Sequence, residues 1–352
     1  MNPFRKLPRL ISRLCLGAAV FASSSVLCAQ DNDRIFTTKG GAAVRGKIVE
    51  RTRDKVVIEV RGTNQSFTSN EIARIVFDGE PQQLTRAKDF IGTGQIDQAI
   101  DEFKKIDDKS IKSDVIKQDY DFYKGYIAAA NALRGKGDAN AAKNLLLNWV
   151  KDNSTSNCYY MAAEKLGELA MAMGTTDQAV KYFGALANSP FPELKVRGNY
   201  LGGKALLTLK QTANAKAKFD LVSQAQVADP VSLKFKKLAS VASVRCEATD
   251  GKSAEALQAL EKMVDEGDAT DAELFAELFN AIGGIQQGAG NNDEAILAFL
   301  KTDLLYASQT EAHAEALYSL SQLWPKIGDN QRAIDAKSRL AKLYPTSPWL
   351  KK

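Results

Sequence analysis

Two hydrophobic periods divide the chain. Over residues 33–79 the apolar residues come in short runs rich in Val, Ile, Phe and Thr: "RIFTT", "AAVRGKIVERT", "KVVIEVRG", "SFTS" and "ARIVFDG". Turn chemistry separates them, in "KGG", "RD" and "GTNQ". In "KVVIEV", Val56, Ile58 and Val60 share one face, and Val57 and Glu59 the other. So few short strands do not make a sandwich. They predict a small closed or half-open β-barrel of the SH3-like or Sm-like kind over residues 30–80. From residue 81 the period turns helical, and Pro81 stands where a helix start tolerates it.

The helical part repeats. Aligned as helix pairs, each second helix carries an early alanine: Ala99, Ala142, Ala179, Ala215, Ala256, Ala295 and Ala333. A glycine precedes six of them at a constant offset: Gly94, Gly137, Gly174, Gly251, Gly290 and Gly328, with Lys210 as the departure. Such a glycine ends the first helix in a left-handed conformation. Ser253 and Asn292 are expected as N-caps of the helices that follow. Further upstream, within the first helices, stand Ala87, Ala130, Gly167, Gly203, Val244, Gly283 and Ser321. One turn after the alanines stand Phe103, Leu146, Phe183, Phe219, Leu260, Phe299 and Lys337. A glycine inside a helix costs about 1 kcal/mol against alanine. Close approach of the paired helices, with the Phe or Leu filling the space, offsets that cost. About seven helical hairpins over residues 81–352 follow, and the frequent Ala after residue 85 suits close packing.

The N-terminal residues follow another logic. Arg5, Lys6, Arg9 and Arg13 precede the apolar run "LCLGAAVFA" and the small residues of "SSSVLCAQ". This is the layout of a secretory signal peptide over residues 1–29, with cleavage after Ala29. The run is too short to span a bilayer stably. A lipoprotein anchored at Cys28 is the lesser alternative, because bulky Leu27 precedes it. The mature chain is therefore expected to be periplasmic or secreted, without an integral membrane segment. Cleavage lowers the formal charge from +5 to +1, so charge does not support a nucleic-acid partner. Cys158 and Cys246 remain, two repeats apart and beyond the roughly 7 Å Cα limit for a disulfide. They read as buried small apolar residues.

Catalytic patterns are not found. His313 in "EAHAEALY", with Glu311 and Glu315 at helical spacing, reads as a solvated helix face rather than a metal site. "DGKS" at 250–253 lacks both the leading glycine and the strand of a phosphate loop. "GTGQID" at 92–97 follows a helix and reads as a turn, and Asp107–Asp108 read as solvent-facing loop acids. No cofactor and no enzymatic role are expected.

The repeat resembles the tetratricopeptide repeat, which has small residues in both helices, an aromatic in the second and a closing proline. Leu166, Gly167, Ala179 and Phe183 carry the resemblance in the third unit, and Ile282, Gly283, Ala295 and Phe299 in the sixth. Pro345 matches the closing proline. The C-terminal repeats resemble the Tol-Pal-associated cell-division coordinator. The combination with a β module is similar to planctomycete secreted repeat proteins. The resemblance implies a mainly α, right-handed solenoid that binds a protein or peptide on its concave, first-helix surface.

By register it implies a groove of Lys124, Ile127 and Asn131, Glu164 and Glu168, Arg197, Tyr200 and Lys204, Arg245, Asn280, and Tyr318 and Gln322. The paired Lys/Asn arrangement of a peptide clamp appears only in part, at Lys124 and Asn131. Arg197, Lys204 and Arg245 with Tyr200 suggest a clamp for a carboxylate-bearing or extended peptide. The function expected is a non-enzymatic envelope adaptor. The alternative is a cell-wall or glycan-associated structural protein that binds through the β module.

Overall fold

The computed structural model describes residues 32–249 and 251–352. The signal-peptide reading, Cys15, Cys28 and the Ala29 cleavage point lie outside the described residues, as does Asp250 of "DGKS".

Five strands form where the alternation places them: β1 (Asp33–Thr37), β2 (Val44–Arg51), β3 (Lys55–Val60), β4 (Thr63–Thr68) and β5 (Ile72–Val76). They pair antiparallel in the order β4-β3-β2-β1-β5. β4 and β5 are not paired to each other, so the expected barrel is an open sheet. The side chains explain why. Thr63, Asn64, Gln65 and Ser66 are all exposed, so closing β4 inward would bury nothing apolar. A 3₁₀ turn over Ser69–Glu71, braced by the Thr68 N–H and hydroxyl, which both donate to the Glu71 carboxylate, carries the chain across to β1. The β5 edge is met by a helix instead, since Lys88 Nζ donates to the Ile75 carbonyl at 2.9 Å.

The remaining chain folds as seven successive helix pairs. They are α1 (Gln82–Gly92) with α2 (Ile96–Phe103), α3 (Asp114–Leu133) with α4 (Ala139–Asp152), and α5 (Tyr159–Ala172) with α6 (Thr176–Ala187). Next come α7 (Pro192–Thr208) with α8 (Thr212–Ser223) and α9 (Pro230–Thr249) with α10 (Ser253–Glu266). The last are α11 (Ala272–Ala289) with α12 (Asn292–Leu305) and α13 (Thr310–Leu323) with α14 (Asn330–Leu343).

The repeat glycines behave as the packing argument requires. A Cβ built on Gly167 would lie 2.4 Å from the Phe183 ring. The same collision recurs at Gly203 with Phe219, at 2.5 Å, and at Gly283 with Phe299, at 2.8 Å. The alanines at the crossings are buried, from Ala99 to Ala333. Between helices, Gly94, Gly174, Gly251, Gly290 and Gly328 all take positive φ. Lys210 takes the same conformation at φ 59°, so the turn geometry persists without the glycine. In the second pair the left-handed residue is Gly135 rather than Gly137.

Two expected caps do not form. Ser253 Oγ donates back to the Ala248 carbonyl, and Asn292 lies inside α12, whose N-cap is Asn291. Side-chain caps occur instead at Asp138, Asp271 and Asp329.

The sheet and the first helices share one core. Ile35, Val56, Ile58, Ile72 and Ile75 pack in a cluster with Phe122, Tyr123, Trp149, Cys158 and Leu166. Polar contacts tie the same surfaces. Arg51 donates to Asn157 at 3.1 Å and to Gln118 at 3.2 Å, Arg53 to the Ser154 carbonyl at 2.6 Å, and Tyr160 Oη to Asp54 at 3.0 Å. At the centre, fully buried Lys88 lies 2.7 Å from Glu80 and 2.5 Å from Asp119. Burial opposes its charge, but the two carboxylates outweigh burial and raise its pKa.

Candidate functional site

Each pair spends its small-residue face on its own second helix. The residues expected in a groove lie on the first helices α3, α5, α7, α9, α11 and α13. On α3, Lys124 is exposed, Ile127 is buried, and Asn131 donates to the Lys136 carbonyl at 3.0 Å. These three line a hollow of about 350 Å³ with Phe103 and Tyr120.

Most of the remaining expected residues are engaged within the chain. Arg197 lies 2.5 Å from Glu164, Lys204 lies 2.8 Å from Glu311 and 3.6 Å from Glu277, and Arg245 lies 2.6 Å from Glu315. Asn280 is fully buried and donates to the Ala312 carbonyl at 2.8 Å. Tyr200 is buried against Phe219 and Phe235, and burial pushes its phenol pKa up. Glu168 pairs with Lys165 at 2.6 Å, Tyr318 stacks near Trp349 at 5.3 Å, and Gln322 is exposed. Lys204 and Arg245 both act on Glu277, whereas Arg197 lies beside the sheet. The suggested clamp is thus two separate groups of ion pairs.

Electrostatics follow from burial. The Glu164 carboxyl is pushed up to about 7, chiefly by desolvation, with Glu168 adding to it and Arg197 opposing. Burial also raises Glu315, but Arg245 more than compensates and holds it below its ordinary value. Glu277, Glu311 and Glu315, which bind the groove cations, were missed by register. Their signal was present, because Glu277 precedes Asn280 and Glu315 precedes Tyr318 by one helical turn on the same first helices.

His313 departs from the solvated-face reading. It is buried, with Nε2 2.7 Å from Asp303 and Nδ1 2.7 Å from the Tyr344 hydroxyl. Arg339 clasps the same Asp303 through two bonds, at 2.9 and 2.6 Å. Burial raises the Asp303 carboxyl, but the His313 and Arg339 bonds outweigh it and leave it below its ordinary value. Among the described residues no group of His, Cys, Asp and Glu is arranged to hold a metal ion. Cys158 and Cys246 are buried and form no disulfide, and burial pushes the Cys158 thiol up to about 12. Asp107 and Asp108 are exposed, as expected.

Two larger hollows border this surface. One, of about 570 Å³, lies between the ends of α3 and α5, the middle of α7, the start of α13 and residues Leu343–Pro348. Its walls include Leu133, Met171, Leu201 and Ala314, with Glu168, Lys204 and Glu311 at the polar positions. The other, of about 860 Å³, lies between β5 and the N-terminal ends of α5, α7 and α9.

No protein-family model and no curated protein match the sequence. Solved structures do. A tetratricopeptide repeat protein from Parabacteroides merdae aligns over 77% of this chain and 96% of its own, at 15% identity and a TM-score of 0.54. The chain has a tetratricopeptide-like fold. PilW, a type IV pilus biogenesis factor, aligns over 65% of this chain and 96% of its own, at 21% identity and a TM-score of 0.40. PilF of Pseudomonas aeruginosa aligns over 77% and 94%, at 14% identity and a TM-score of 0.36. Among the described residues no helix is long and apolar enough to cross a membrane.

Proposed function

We propose that the chain is a non-catalytic adaptor of the cell envelope, exported by residues 1–29, that holds a peptide segment of a protein partner in its inner-helix groove. The observation that carries this reading is the hollow of about 570 Å³ whose walls come from α3, α5, α7, α13 and the residues after α14 and combine apolar and charged positions. A peptide gains affinity there by burying apolar side chains against Met171 and Leu201, while Glu168 and Lys204 fix its orientation. In this reading the sheet caps the first inner helices and contributes no ligand site.

Selection of phage-displayed random peptides tests the groove. The intact chain is expected to enrich a peptide class, and Met171→Asp/Leu201→Asp, with an unchanged thermal melt, to lose it. Retention of the same peptides by that variant would refute the groove assignment. Export is tested by the mass of the chain recovered from an envelope fraction. A chain starting at Gln30 is expected, and an unprocessed chain confined to the cytoplasm would overturn it.

A further inference from the structure

The residues after α14 return to the groove. Thr346 Cγ2 lies 3.2 Å from where a Cβ on Gly135 would stand, at the α3–α4 turn. Pro345 and Pro348 form one wall of the hollow that Met171 and Leu201 line from the other side. Trp349 packs its ring 5.3 Å from that of Tyr318 on α13. Lys352 Nζ sits 3.5 Å over the Trp349 ring. Burial lowers the Lys352 amine, with Arg245 and Lys210 adding to the effect and Glu315 opposing it, so the chain end senses α9 and α13. The segment therefore meets Tyr318 directly, lies by Arg245, and walls the hollow that also holds Glu168 and Lys204. All four residues were expected in the groove from register alone.

The chemistry of the segment is that of a ligand. "YPTSPWLKK" holds two prolines, which restrict its backbone as it folds into a turn at Tyr344–Ser347 and a 3₁₀ turn over Pro348–Lys351, one tryptophan as an anchor, and Lys351 and Lys352. We propose that Tyr344–Lys352 is a stand-in for the partner, bound in cis, and that the groove takes a turn-forming peptide with proline, an aromatic anchor and neighbouring lysines. This rests on the groove being the binding site. A tethered occupant lowers the apparent affinity for a free competitor by the fraction of time it fills the site.

The test uses full-length chains and a fluorescein-labelled peptide with the sequence of residues 344–352, read by fluorescence anisotropy. Trp349→Ala frees the groove and is expected to bind the peptide about tenfold or more tightly than the unaltered chain. Tyr318→Ala added to that variant is expected to abolish binding, and a scrambled peptide is expected not to bind. Equal binding to the unaltered and Trp349→Ala chains, or none to a Trp349→Ala chain that melts normally, overturns the proposal. If Trp349→Ala melts early, Thr346→Glu makes the same comparison from the Gly135 end. A dimer in sedimentation that dissociates on Trp349→Ala would replace the cis arrangement with exchange between two copies, and so overturn it. If the peptide fails here while Met171→Asp/Leu201→Asp still loses its phage-selected peptides, the tail proposal falls and the groove reading stands.

Discussion

Gly167 is the position at which the packing argument can be measured. Replacing it by alanine gains about 1 kcal/mol of helix propensity, so propensity alone predicts stabilisation. Geometry predicts the reverse. The new Cβ would lie 2.4 Å from Phe183 Cε1 and 2.7 Å from Cδ1 and Cζ, where ordinary contact begins at 3.4 Å. The ring must retreat by about 1 Å, and Phe183 is 1% exposed and packed among Ala170, Ala179 and Ala205. Overpacking of this kind costs about 1–3 kcal/mol. The net expectation for Gly167→Ala is a loss of about 1 kcal/mol, or a fall in Tm of roughly 1–2 °C for a chain of this length. Gly184, in α6, meets nothing within 4 Å at its Cβ position. Gly184→Ala should therefore show the propensity gain undiluted, about 1 kcal/mol in the opposite direction. Urea titration followed by far-UV circular dichroism gives the stabilities. Hydrogen exchange of α5 and α6 amides confirms that the change is local, since repeat arrays can unfold unit by unit. Phe183→Leu combined with Gly167→Ala should cost less than the two changes summed, because the colliding ring is gone. Equal stabilisation by both Gly→Ala changes would refute the close-approach account of the repeat.

Three other outcomes are expected. Lys88→Met leaves Glu80 buried without its cation and Asp119 with only Arg51, 3.8 Å away, and should destabilise the sheet–helix junction by about 3–5 kcal/mol, seen as loss of amide protection in β5 and α3. Glu164 has a folded pKa of about 7, above its ordinary 4.5, so the fold favours its protonated form. Its contribution is full below pH about 4.5 and is lost as pH rises through about 7. Glu164→Gln should therefore flatten the fall in Tm between pH 5 and 8; an unchanged pH profile would remove Glu164 as its source. Lys210→Gly relieves a left-handed lysine at φ 59° and should stabilise by up to about 1 kcal/mol in the same urea titration, with a loss of stability counting against the strain argument.

The comparison of sequence with structure divides by distance along the chain. Gly167 and Phe183, Gly203 and Phe219, and Gly283 and Phe299 recur at one offset inside a single hairpin, so periodicity exposed them. The strands were visible for the same reason, through alternation within each run. The open sheet was not visible, because whether β4 pairs with β5 depends on which surface covers Ile72 and Ile75. Register picked out Arg197, Lys204 and Arg245 on the first helices, but not their partners. Arg245 and Glu315 are separated by 70 residues, and Arg51 and Asn157 by 106. Many carboxylates compete for each cation in the sequence, and only the accumulated rotation from hairpin to hairpin selects one. His313 was misread because its neighbours Glu311 and Glu315 look solvated, whereas the face it occupies turns toward Asp303, Arg339 and Tyr344.

The sequence by itself thus determined the hairpins, their turns and the small-to-aromatic contact that closes each one, because these depend on side-chain volume at short range. Only the tertiary structure decided that the sheet stays open, that Arg197, Lys204 and Arg245 are paired, and that Tyr344–Lys352 packs beside Tyr318 and walls a hollow with α3, α5 and α7, because those outcomes depend on where distant surfaces meet.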